Sequence, residues 1–146
     1  MNTRPAVWAP FPARVELATG PDRHPMTRDD GGWWTADLEL TPDTDYGYSL
    51  DGAAPLPDPR SPSQPNGVSA LSRTVDHSAF NWTDGGFAAR RLANAVIYEL
   101  HVGTFTAAGT FDAAINRLAD LVDLGITHLE LMPVAEFSGD RGWGYD

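Results

Sequence analysis

Four polar side chains punctuate two apolar segments near the end of the chain. Glu99 and His101 share one parity within Tyr98-Glu99-Leu100-His101-Val102, and His128 and Glu130 share one parity within Thr127-His128-Leu129-Glu130-Leu131. Carboxylates and imidazoles can pass protons near neutral pH, or they can hold one another in a hydrogen-bonded network that supports a site. The spacing alone leaves both open. A second group follows closely: Glu136, Asp140, Arg141, Trp143, Tyr145 and Asp146. Gly142 and Gly144 flank the indole and precede the phenol. Rings set among glycines can lie exposed against a flat ligand face, such as the C–H face of a sugar, or pack beneath their own loop.

Other chemistries are poorly served. The chain contains no cysteine, which removes disulfides, thiolate zinc sites and a cysteine nucleophile. His24, His77, His101 and His128 show no metal-ligand spacing, and neither a Gly-rich phosphate loop nor a serine nucleophile elbow is present. No cofactor and no metal are expected. The formal net charge of -10 repels phosphate backbones and anionic lipid, so neither nucleic acid nor a membrane surface is an expected partner. No signal-peptide core and no run of about eighteen apolar residues is found, so the expected location is the cytoplasm.

The elements that must position these residues are legible from periodicity. The stretch that opens at Ala95 reads as a strand running up to the loop at Gly103. Phe111, Ala114, Ile115, Leu118, Leu121 and Val122 recur at spacings of three and four, which predicts one amphipathic helix. Thr110 is its expected N-cap and Gly125 its expected stop. Asn116, Arg117, Asp120 and Asp123 fall on the wet face. A second strand follows, so residues 95–146 read as a βαβ unit. Ligands of parallel α/β folds meet the loops after the strands' C-terminal ends, here Gly103 to Gly109 and Val134 onward. Were these barrel strands, the side facing the helices would be apolar. The charged parity of Glu99, His101, His128 and Glu130 would then point inward as one polar support network.

Residues 1–76 read differently, as short strands broken by turns. Ala6-Val7-Trp8-Ala9 and Arg14-Val15-Glu16-Leu17 are strands, and Asp29-Asp30-Gly31-Gly32 predicts a hairpin turn. After it, Trp34, Ala36, Leu38 and Leu40 share one parity, giving a sheet with one wet face. Tyr46 to Leu50 is another strand, closed by Asp51-Gly52. Such spacing suggests a small β-sandwich. Pro55 to Gly67 contains Pro55, Pro57, Pro59, Pro62 and Pro65 and is expected to lie extended over the domain surface, with a disordered linker as the alternative. Residues 77–94 read as a connection to the βαβ unit.

Three stretches together resemble the opening of the α-amylase group, family 13 of the glycoside hydrolases. Val7-Trp8-Ala9-Pro10 with Arg14 to Leu17 is similar to the start of an amino-terminal immunoglobulin-like sandwich. Leu50-Asp51-Gly52, Leu56 to Ser61 and Gln64 to Val68 resemble a Pro-rich crossing. Tyr98 to Phe105, Leu129 to Val134 and Trp143-Gly144-Tyr145-Asp146 resemble the first two strands of a (β/α)8 barrel and the loop that follows. The resemblance implies a retaining hydrolase of an α-glucan oligosaccharide, maltooligosyl trehalose, cut at the α-1,4 bond next to the trehalose end. Its Asp nucleophile, Glu acid/base and second Asp would lie beyond residue 146, so no catalytic residue is expected within this chain, and the chain alone is expected to be inactive. Tyr145 matches the family's stacking tyrosine, with Trp143 and Asp146 as neighbouring substrate contacts. Glu130 and Glu136 match pattern positions that are not the catalytic carboxylates. A branching or debranching enzyme and a non-catalytic glucan-binding sandwich are the competing readings.

Overall fold

The computed structural model describes residues 3–145. The chain divides into two compact units, Met1–Trp82 and Thr83–Asp146.

The first unit is a six-stranded antiparallel sheet with the order β1-β4-β3-β2-β5-β6. Its strands are β1 Ala6–Trp8, β2 Val15–Thr19, β3 Asp22–Arg28, β4 Trp33–Ala36, β5 Asp45–Leu50 and β6 Ser72–Arg73. The sheet curls because β3 changes partner midway. Residues Asp22 to Pro25 face β2, whereas Met26 to Arg28 face β4. Pro25 sits at the changeover, where a strand tolerates a residue without a donor. Two halves of the sheet thereby close on one core, built from Val7, Val15, Leu17, Met26, Trp34, Ala36, Leu40, Tyr46 and Tyr48 among others. This is the expected sandwich in curled form. The alternation after the Asp29 turn is also observed: Trp34, Ala36 and Leu40 are buried, and Trp33, Thr35 and Asp37 are exposed. The turn holds because Asp29 Oδ1 accepts from the N–H groups of Gly31 and Trp33, both at 2.9 Å. At the tip of β5, Asp51 and Gly52 take φ of 52° and 84°, and Ala53 N–H donates to Leu50 O at 3.0 Å. That is a left-handed two-residue turn, which matches the twist of a hairpin.

The Pro-rich crossing is tied down, contrary to the linker alternative. Leu56 and Tyr48 exchange two backbone hydrogen bonds at 2.8 and 2.9 Å. The buried Asp58 accepts from the hydroxyls of Tyr46 at 2.8 Å and Tyr48 at 3.3 Å. Its backbone N–H donates to Ser72 Oγ at 2.8 Å. Arg60 donates to Ala6 O at 2.8 Å and lies over the Trp33 ring at 4.7 Å. A proline has no N–H to give to a ladder, so side-chain bonds do much of the fastening along this crossing.

The second unit contains β7 Ile97–Leu100, α1 Val102–Phe105, α2 Phe111–Ile115, α3 Leu118–Asp123 and β8 His128–Leu131. Strands β7 and β8 pair in parallel. Two expectations need correction. The strand ends at Leu100, and the residues after it form the short helix α1, with the His101 ring against Thr104 Oγ1 at 3.1 Å. The expected single helix is two. Asn116 and Arg117 adopt ψ of -12° and -1°, and Arg117 N–H reaches back three residues to Ala114 O at 2.9 Å. This tighter turn interrupts the α-helical ladder at an asparagine, a residue with poor preference for helix interiors. Both ends are as expected. Thr110 Oγ1 accepts from Ala113 N–H at 3.2 Å. At the other end Gly125 has φ of 91°, its N–H meets Val122 O at 2.9 Å, and Ile126 N–H meets Leu121 O at 3.0 Å. That pair of bonds is a Schellman stop. The apolar stripe is covered only along one edge: Ala114 and Leu121 are buried, while Phe111, Ile115 and Val122 are at least half exposed. Among the described residues, no helix is long and apolar enough to cross a membrane.

Candidate functional site

Strand register sets the site. Ile97 lies opposite His128, Glu99 opposite Glu130 and Leu100 opposite Leu131. Laterally paired residues of neighbouring strands project from the same face. Glu99 and Glu130 therefore stand side by side, and His128 shares their face. The four polar residues do not join into one network. The His101 ring pairs with Thr104, and the His128 Nδ1 pairs with Thr127 Oγ1 at 2.8 Å. Among the described residues, no hydrogen bond links any two of the four.

The loop beyond β8 returns across this face. Tyr145 donates its hydroxyl proton to Glu99 Oε1 at 2.9 Å, spanning 46 positions of sequence. Glycines make the return possible. Gly144 has φ of 84°, and a Cβ there would collide with the Pro133 carbonyl oxygen. A Cβ at Gly142 would come within 2.9 Å of the Phe137 ring. The aromatic rings stay outside: Trp143 is 74% exposed and Tyr145 64% exposed. They are displayed, and do not pack beneath the loop. Asp146 lies outside the described residues. The bond to Glu99 raises the Tyr145 phenol above its usual range, and desolvation and the charges of Glu99 and Glu130 add to this. The phenol is thus held as a donor.

Two adjoining depressions open at the C-terminal ends of the strands. One, of about 240 Å³, is lined by His101, Thr104, Met132, Gly142 and Trp143. The other, of about 630 Å³, runs past Gly103, Gly109, Pro133, Phe137, Asp140 and Arg141. The loops after both strands contribute, as the parallel architecture requires. Among the described residues, no group of three or more His, Asp or Glu is placed to hold a metal ion. The arrangement offers an exposed aromatic display, a paired carboxylate edge and a shallow cleft, which suits holding a polar ligand with flat apolar faces.

The Glu99–Tyr145 bond was not readable from local spacing. The only sequence signal was the run of glycines around Trp143 and Tyr145, which marked the loop without naming its anchor.

A curled antiparallel sheet in one unit and, in the other, a parallel strand pair with its site at the C-terminal ends are elements shared with glycoside hydrolases of the α-amylase group, and the chain is similar to the amino-terminal portion of members of that group. Its sequence matches the amino-terminal portion of the malto-oligosyltrehalose trehalohydrolases. It is 52% identical over 151 aligned residues to malto-oligosyltrehalose trehalohydrolase of Arthrobacter ramosus, covering 100% of this chain and 26% of that protein. It is 53% identical over 144 residues to the enzyme of the same name from Mycobacterium tuberculosis (96% and 25% covered). A solved structure described as an alpha amylase of Salmonella typhimurium superposes with a TM-score of 0.90 at 42% identity, covering 98% of this chain and 25% of that one. The chain spans about a quarter of the length of the curated relatives it matches. No family model matches it.

Proposed function

We propose that this chain is the amino-terminal part of an α-glucan hydrolase that cleaves the α-1,4 bond next to the trehalose end of maltooligosyl trehalose and releases trehalose. Tyr145 offers its ring to the glucose beside the cleaved bond, with Trp143 and Asp146 as further contacts. Glu99 anchors that ring, and His101, His128 and Glu130 support the strand ends individually, each through its own neighbours. The nucleophile and acid/base act from outside residues 1–146, and the enzyme works in the cytoplasm. The observation that carries this reading is the exposed Tyr145 ring, tethered to Glu99 at the mouth of the parallel pair. The names of the relatives support the choice of substrate.

The test uses the native polypeptide that carries this segment, assayed for trehalose release from maltooligosyl trehalose. Tyr145→Ala removes a sugar-facing ring worth about 2 kcal/mol of burial, so kcat/KM falls roughly 30-fold. Residues 1–146 alone release no trehalose. Formation of α-1,6 links without free trehalose would instead identify a branching enzyme. Trehalose release by the 146-residue polypeptide would overturn the assignment of the catalytic groups.

A further inference from the structure

The Tyr145 ring has little to hold it. It is 64% exposed, it follows two glycines spaced one residue apart, and Gly144 sits in the left-handed region. No ring-to-ring contact fixes it among the described residues, and its one side-chain hydrogen bond there goes to Glu99. We infer that Glu99 is the positioning residue for Tyr145, setting the ring's orientation from strand β7 rather than from the loop that carries it. This rests on the reading of Tyr145 as a sugar-facing platform and adds what makes the platform rigid.

The chemistry of the pair gives the tether a direction. A carboxylate only accepts, so the phenol must donate, and its oxygen lone pairs then face outward as acceptors for a ligand hydroxyl. A charged acceptor makes this bond about twice as strong as a neutral one. Glu130, directly opposite Glu99 in the register, adds negative potential that opposes loss of the phenolic proton. The strand is a firmer base than the loop, because Leu100, next to Glu99, is buried at 4% exposure. A stacking ring held at both its Cα and its hydroxyl loses less freedom when sugar arrives.

The experiment compares Glu99→Ala, Glu99→Gln, Tyr145→Phe and the double variant E99A/Y145F in the native polypeptide that carries this segment. E99A and Y145F each lower kcat/KM on maltooligosyl trehalose about ten-fold, as loss of one charge-assisted hydrogen bond predicts. The double variant falls no further than either single one, because both remove the same bond. E99Q, which keeps an acceptor oxygen, recovers most of the loss. A second readout uses the 146-residue chain itself. Ultraviolet titration of its phenols should show one tyrosine ionising at lower pH in E99Q than in the parent chain. Additive losses, or an unmoved titration in E99Q, would overturn the inference. Wild-type kinetics in E99A beside a large loss in Tyr145→Ala would overturn it too, while leaving the platform reading intact. Wild-type kinetics in Tyr145→Ala would remove the platform reading itself.

Discussion

Asp58 carries more of the first unit's organisation than its place in a Pro-rich segment suggests. One buried carboxylate collects two phenol hydroxyls, and its own backbone is pinned to Ser72. Asp58→Ala leaves both hydroxyls short of a partner and is expected to cost about 2–4 kcal/mol in urea unfolding. The same cluster predicts an alkaline response. Burial, followed by the proximity of Asp58, raises both the Tyr46 and Tyr48 phenols above their ordinary range. Unfolded phenols ionise near pH 10, whereas these stay protonated in the fold. The folded state therefore binds more protons above pH 10. Its stability is complete below that value and falls as pH rises, by up to about 1.4 kcal/mol per pH unit for each tyrosine. The urea midpoint should drop between pH 9 and pH 11, and Y46F/Y48F should flatten the drop. An unchanged parent midpoint over that interval would contradict this account.

At the scale of elements, Gly47 shows how closely β5 and the crossing approach. A Cβ there would lie 2.5 Å from the Leu56 carbonyl oxygen and 2.7 Å from Leu71 Cδ2. The Leu71 methyl can move, but the backbone carbonyl is held by its bond to Tyr48 N–H at 2.8 Å. Gly47→Ala should therefore destabilise the unit by about 1–3 kcal/mol, as overpacking does, with a lowered thermal midpoint as the readout. Elements governed by local chemistry were legible in the sequence. Thr110 and Gly125 bound the helical region because caps act within a few residues. The parity of Trp34, Ala36 and Leu40 marks the buried face because one side of that strand is wet. Strand β3 was not legible: it contains Pro25 and only Met26 is buried, so alternation had almost nothing to report. The helix break at Asn116 and Arg117 was hidden because the apolar spacing runs through it undisturbed. The candidate site divides the same way. Glycines announced the displayed rings, but the Tyr145–Glu99 bond joins distant positions and exists only once the strands are in register.

For the whole molecule, the contrast between the units decides the energetics. The first has a contiguous core with Val15 and Leu17 at 0% exposure. In the second, among the described residues, only Leu100, Val102, Ala114 and Leu121 are buried apolar residues, whereas Ile97, Leu129 and Leu131 are 40% exposed or more. Burial of apolar surface is the main favourable term in folding, so the second unit should open more readily. Amide exchange in the isolated chain should show weaker protection over residues 96–102 than over residues 33–40; equal protection in a monomer would refute this. The pairing of β7 with β8 has a further consequence. Among the described residues, each of these two strands has a strand partner on one side alone, and a sheet edge offers its outward amides and carbonyls for pairing. Any chain that presents a strand of compatible spacing can lengthen it, and another copy of this same polypeptide always does. Crowding should therefore draw copies into ribbons, and dilution should keep them single.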